Sequence, residues 1–194
     1  MNDTAPGGLD EARAELVEAA TLLIAGGYDT PDDILDDLAE RFADEAPELP
    51  EEEIRAIVVP MIAARRAEEA AWPERTGADL LDETLDELRG QGLTVEENFA
   101  CCMRCGLSEI GGEAAEGSPG YVFFHEQDTE HAAAGQGLML AYGAFGGDPE
   151  ASAAIGRQVV AALSAKGLGV SWDGSVTTRI AVEPLDWRRR MPEE

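Results

Sequence analysis

The sequence is poor in basic residues, in aromatic side chains and in long apolar runs. Its 194 residues include 14 Lys and Arg against 40 Asp and Glu, a formal net charge of −26, and only 6% are aromatic. Proteins bind nucleic acid with Lys and Arg that displace counterions from phosphates, so we expect no nucleic-acid partner. The same acidity argues against anionic membrane surfaces. Since no apolar run reaches about 18 residues and the N-terminus lacks the regions of a secretory signal, we expect no membrane span and no export.

Cysteine and histidine are also scarce. The three cysteines and two histidines all lie between positions 101 and 131. An odd number of cysteines does not suit a closed disulfide framework, so we expect a reducing, cytoplasmic environment. A Gly-rich phosphate loop of the Walker or dinucleotide type is missing, and no nucleotide cofactor is therefore predicted.

The apolar fraction of 44% suffices for a buried core, and the patterning predicts two parts. Residues 1–75 are predicted to form an N-terminal helical segment of three helices. The first ends at Gly26 and Gly27, the second begins at the N-cap Thr30, and the third begins near Pro50. Pro60 is expected to kink or divide the third helix, because proline removes a backbone donor.

Residues 76–194 are predicted to form an α/β domain that carries the Cys and His residues. Its elements after a fourth helix are a weak strand over 93–100, a short helix to about 110, strands over 121–126 and 137–142, a helix over 149–166, and a hairpin around Asp173 and Gly174. The predicted fold class is α/β or α+β, with packed helices on a mixed or antiparallel sheet.

Zinc binding is the first hypothesis for the Cys and His residues. Cys102 and Cys105 have the two-residue gap that lets two thiolates reach one tetrahedral ion, and Gly106 is expected to permit a tight turn behind them. His125, predicted to lie in a strand, is the third ligand of this hypothesis. Cys101, Asp128 or His131 would supply the fourth, and His131 ranks last.

A thiol-dependent enzyme or redox switch is the alternative for the same residues. Cys102 and Cys105 would cycle between dithiol and disulfide, helped by the nearby charge of Arg104. Equally, one cysteine would act as a nucleophile, with His125 as its base and Asp128 or Glu126 orienting the imidazole.

Two further interpretations involve no chemistry. The cysteines would pack as small apolar residues, His125 would be a core histidine satisfied by a backbone carbonyl, and Asp128 would cap a turn that runs through His131. The third class of function is a protein-interaction module whose acidic helices meet an unidentified basic protein.

The cysteine region also resembles a known family. Residues 98–106 read Asn-Phe-Ala-Cys-Cys-Met-Arg-Cys-Gly, and residues 120–130 read Gly-Tyr-Val-Phe-Phe-His-Glu-Gln-Asp-Thr-Glu. With Trp172-Asp173-Gly174 and Arg179-Ile180, these motifs resemble an uncharacterised actinobacterial family of domains of unknown function, over roughly residues 75–190. The resemblance implies a cytoplasmic bacterial domain and carries no activity. Our function prediction is a binding or regulatory domain with a Cys and His zinc site.

Overall fold

The computed structural model describes residues 7–193, and these residues form two compact units. The helical unit contains the residues up to Pro73 together with those from Arg189 onward, and the second unit runs from Glu74 to Arg188. The predicted domains, 1–75 and 76–194, stay a prediction. Within the described part of the chain, no helix has both the length and the apolar character needed to span a membrane.

Three helices build the helical unit: α1 (Gly7–Gly26), α2 (Pro31–Glu45) and α3 (Glu51–Glu69). Helix α2 begins where the sequence predicts, because the Thr30 side chain and Asp33 form a reciprocal capping box. Pro60 lies inside α3, which continues as one helix. Of the two predicted effects of Pro60, division of the helix is therefore wrong. Pro60 cannot donate the usual backbone hydrogen bond of the helix. The burial of Ile54, Val58 and Ile62 on one face outweighs that loss.

The second unit is an α+β fold around a five-stranded sheet, as predicted. Its elements are α4 (Gly77–Gly90), β1 (Thr94–Glu96), α5 (Met103–Glu109), β2 (Gly120–Phe123), α6 (Glu126–Ala133), β3 (Leu138–Ala144), α7 (Pro149–Ala165), β4 (Val170–Ser171) and β5 (Ile180–Val182). The sheet is mixed, in the order β1-β2-β3-β5-β4, with β1 and β2 parallel and the other pairs antiparallel.

The core of this unit lies between the sheet and α7, which packs across β2, β3 and β4. Helix α4 packs against α7 and β1, and α6 packs against β3. Close approach of α7 to the sheet is helped by Gly120, where an added Cβ would lie 2.3 Å from the Ile155 side chain. These contacts hold β2, against which the helix of the candidate site packs, inside the sheet.

Two local predictions are wrong. The strand predicted over 121–126 ends at Phe123, and helix α6, which no pattern indicated, follows at Glu126. The predicted tight turn at Asp173 and Gly174 is part of a longer connection between β4 and β5, although these strands do pair antiparallel. In that connection the Asp173 carboxylate accepts hydrogen bonds from the Ser175 amide and the Thr178 hydroxyl, which stabilises the wider loop.

Candidate metal centre

Three thiols come together where the chain enters α5. We call Cys101, Cys102 and Cys105 the cysteine cluster. Their sulfurs all lie within 4.8 Å of one another, and the Cys101 and Cys105 sulfurs are 3.4 Å apart. Cys102 is the N-cap residue of α5 and Cys105 lies in its first turn, while Cys101 precedes the helix. All three are free thiols.

The loop before the cluster has an unusual backbone. Asn98 and Ala100 adopt positive φ angles of 49° and 61°, a conformation that costs most residues free energy. Hydrogen bonds to the start of α6 hold this loop: the Phe99 amide donates to the Phe124 carbonyl at 2.8 Å, and the Glu126 amide donates to the Ala100 carbonyl at 3.2 Å. The turn directs Cys101 back toward Cys105.

Helix α5 is anchored on its inner face. Phe99 and Met103 pack against the buried group of Ile110, Phe123 and Ala141. Gly106 completes this contact, because an added Cβ would lie only 2.5 Å from the Phe123 ring. The prediction that Gly106 permits a tight turn is therefore wrong. Gly106 lies inside α5, and its role is close packing against β2.

The thiols themselves are not core residues. Cys101 is exposed, and Cys102 and Cys105 are partly exposed. The interpretation that the cysteines pack as small apolar side chains is therefore wrong, since the apolar contacts of this segment come from Phe99 and Met103 instead. The cluster lies at the surface, where ions and small molecules can reach it.

The three thiols differ in acidity. Hydrogen bonds from the backbone amides of Cys105 and Arg104 lower the pKa of Cys102, because they stabilise its thiolate. Hydrogen bonding with the Cys101 and Cys102 sulfurs, and the charge of those sulfurs, raise the pKa of Cys105 to about 12. Within the cluster, Cys102 therefore loses its proton more readily than Cys105, as expected for neighbouring thiols that share charge.

His125 and Asp128 belong to a second group, with Arg179, which we call the polar cluster. Asp128 is 1% exposed, and Arg179 Nη1 donates to its two carboxylate oxygens at 2.9 and 2.8 Å. The Asp128 amide donates to His125 Nδ1 at 3.3 Å, and His125 Nε2 lies 3.0 Å from Asp128 Oδ2. Burial lowers the pKa of His125, which favours the neutral ring. Because Nδ1 accepts the Asp128 amide, the proton of the neutral ring lies on Nε2.

His125 is the N-cap of α6 rather than a strand residue, and Asp128 is the reciprocal partner of that cap. The interpretation of Asp128 as the capping residue of a turn is therefore wrong by position. His125 is buried, as that interpretation expected, but its ring pairs with the Asp128 amide and carboxylate and not with a backbone carbonyl of the described residues. His131 is exposed in the last turn of α6.

The predicted ligands thus fall into two groups. The cysteine cluster includes neither His125 nor Asp128, whose polar atoms are engaged with each other and with Arg179. Arg179 received no role from the sequence. No signal in the sequence could have found it, because the burial of Asp128, which requires a cationic or amide partner, is visible only in the structure.

Three close thiols could hold a metal ion. Thiolate sulfur is a soft ligand that suits zinc and other thiophilic ions, and a zinc site with three protein ligands keeps a fourth position open. The exposure of Cys101 is consistent with such an open position.

The fold and the site define an α+β protein with a surface cluster of three thiols. The chain belongs to the family described as domain of unknown function DUF6891, whose model matches residues 9–191. This match confirms the resemblance to such a family and extends it from residues 75–190 to the N-terminal helices. Searches of curated proteins and of solved structures each returned no match.

Proposed function

We propose that this protein is a metal-dependent binding or regulatory domain of the cytoplasm that holds zinc through Cys101, Cys102 and Cys105. The observation that carries the proposal is the distance among the three sulfurs, each within 4.8 Å of the others. Thiols this close repel as thiolates, and a divalent cation removes that repulsion. A reducing compartment suits the site, because the three cysteines are free and exposed to oxidants.

The surroundings of the three cysteines favour metal binding over apolar packing as their role. The apolar face of α5 is already occupied by Met103 and its neighbours, so the cysteines contribute nothing that serine or alanine could not provide to the core. The lowered pKa of Cys102 makes its thiolate easier to form, and metal binding would displace the thiol protons of the cluster.

Metal content tests the proposal. Protein purified under reducing conditions is expected to contain close to one zinc per chain by elemental analysis. Cobalt(II) substitution is expected to give the intense near-ultraviolet absorption of thiolate-to-cobalt charge transfer. Each of Cys101→Ser, Cys102→Ser and Cys105→Ser should weaken zinc binding by about 10-fold or more, since each removes one of three ligands.

A matched control lies on the same helix. Ser108→Ala changes an exposed residue of α5 whose hydroxyl donates only to the Arg104 carbonyl, and it should leave metal content unchanged. Wild-type protein without zinc, or with zinc that survives all three serine substitutions, would refute the proposal.

The role of His125 as a ligand remains a prediction, and one substitution decides it. His125→Asn removes the imidazole and keeps a side-chain acceptor suited to the N-cap of α6. A cobalt spectrum unchanged by this substitution would place the metal on sulfur and an exogenous ligand. Loss of one nitrogen ligand from the spectrum would bring His125 into the site.

A further inference from the structure

The Cys101 and Cys105 sulfurs are in van der Waals contact. The 3.4 Å separation compares with about 2.0 Å in a disulfide, so a small side-chain movement joins the two sulfurs. Cys101 precedes α5 and is exposed, so a small oxidant reaches it directly. The helix need not unfold for this bond to form.

We propose that the Cys101–Cys105 pair is a reversible oxidation site, and that its disulfide and the bound metal exclude each other. Only the mutual exclusion of disulfide and metal rests on the proposed function. A disulfide sulfur lacks the thiolate charge that binds metal, so the bond removes two ligands of three and leaves Cys102 alone.

The oxidant is a peroxide. The Cys101 thiolate attacks one peroxide oxygen, the O–O bond breaks, and the other oxygen leaves as water after protonation, which yields a sulfenic acid. The Cys105 sulfur then attacks the Cys101 sulfur and gives up its proton, the S–O bond breaks, and the departing hydroxide takes that proton and leaves as a second water. Two thiols lose two electrons and two protons, and one hydrogen peroxide becomes two waters.

The buried side of the segment restrains the product. Met103 and Phe99 hold α5 against Phe123, and the hydrogen bonds of Phe99 and Ala100 to the chain around Phe124 and Glu126 hold the loop. Because both ends of the pair are held, the bond is expected to form within one chain rather than between two.

The first arm of the test uses the full-length, metal-free protein. One equivalent of hydrogen peroxide, followed by alkylation and peptide mass spectrometry, should show Cys101 joined to Cys105 and Cys102 alkylated. Cys102→Ser should keep this disulfide, and Cys105→Ser should lose it. A dominant disulfide that includes Cys102, or sulfinic acid without any disulfide, would overturn the pairing.

The second arm uses zinc-loaded protein with a chromogenic chelator. One zinc should leave for each disulfide formed. Reduction with dithiothreitol should then restore zinc binding to roughly 80% or more of the original amount, because the thiol couple is reversible. Zinc retained in chains that carry the disulfide would overturn the inference. Reduced protein that never binds zinc would refute the proposed function and the release step, while the first arm still decides the pairing.

Discussion

For single residues, His125 shows how burial sets a protonation state. The residue is 5% exposed, and its Nε2 lies 3.0 Å from the Asp128 carboxylate and 3.5 Å from the Arg179 guanidinium. Burial and the positive charges of Arg179 and His131 lower its pKa, while the negative charges of Asp128 and Glu130 oppose that shift. Because its pKa is lowered overall, folding favours the neutral imidazole. The neutral ring accepts a hydrogen bond from the Asp128 amide at the start of α6.

This shift predicts a pH dependence of stability. A histidine whose folded pKa lies below its unfolded value near 6.5 contributes stability above that value, and the contribution is lost as pH falls. Between pH 7.5 and 5.5 we expect wild type to lose more unfolding free energy than His125→Asn. The difference should not exceed about 1.4 kcal/mol per pH unit below 6.5. Urea denaturation at the two pH values measures it, and equal losses in both proteins would contradict the expectation.

Ala100 is a second residue whose backbone conformation is expected to affect stability. Its φ of 61° is unfavourable for a side chain with a Cβ, by roughly 1–2 kcal/mol. Ala100→Gly is expected to raise the free energy of unfolding by about 0.5–1 kcal/mol, since glycine adopts this conformation freely but loses more entropy on folding.

The comparison substitution is Ala100→Val, which should lower the free energy of unfolding by at least about 1 kcal/mol because a β-branched residue fits this region poorly. Thermal and chemical denaturation measure both. A glycine variant less stable than wild type would show that the loop, with its hydrogen bonds to Phe124 and Glu126, does not store the inferred strain.

For helices and strands, the last residues of the chain act as an added element of the helical unit. Met191 is 2% exposed within a core that includes Leu16, Ile34 and Val58. Its amide donates to the buried Glu69 carboxylate at 2.9 Å, and Arg66 donates to its carbonyl at 2.8 Å. An extended segment thus receives from side chains of α3 the hydrogen bonds that a strand would receive from a neighbour.

Met191→Ala is therefore expected to lower the free energy of unfolding by about 2–3 kcal/mol, through lost apolar burial and the cavity left behind. Glu193→Ala, two residues further and exposed, should have no effect beyond about 0.5 kcal/mol. Chemical denaturation followed by circular dichroism compares the two. Equal stabilities would mean that the terminal segment does not stabilise α1, α2 and α3.

For the molecule as a whole, charge is the dominant property. A net charge of −26 on 194 residues produces self-repulsion, which the ion pairs of 14 basic residues offset only in part. Several pairs are local and exposed, such as Arg55 with Glu51, and contribute little. The basic protein partner suggested by this surface stays a prediction.

Salt should therefore stabilise the protein. Raising sodium chloride from about 20 mM to 500 mM shortens the screening length from roughly 20 Å to 4 Å, so long-range repulsion among carboxylates falls. We expect the Tm to rise by several degrees in differential scanning calorimetry. A Tm that is unchanged or lower in 500 mM salt would mean that the acidic residues are already compensated locally.

Much of the fold could be predicted from the sequence, for identifiable reasons. Thr30 with Pro31 marks the start of α2 through capping and a fixed φ, and Asp148 with Pro149 marks α7 in the same way. Helix α6 could not be predicted, because its N-cap is a histidine and its eight residues show little apolar periodicity. The long β4–β5 connection was missed because side-chain hydrogen bonds of Asp173 override the preference for a two-residue turn.

The sequence by itself determined that any soft metal or thiol chemistry must lie between residues 101 and 131, since no cysteine or histidine occurs elsewhere. It also determined the acidic character and narrowed the fold to α/β or α+β, since these depend on composition and on local periodicity. Only the tertiary structure decided how the candidates divide: three sulfurs gather at the surface, and His125 and Asp128 join Arg179, 51 residues further along from Asp128. The physical reason is that a buried carboxylate requires a charged partner, and the chain position of that partner depends on sheet topology rather than on local sequence.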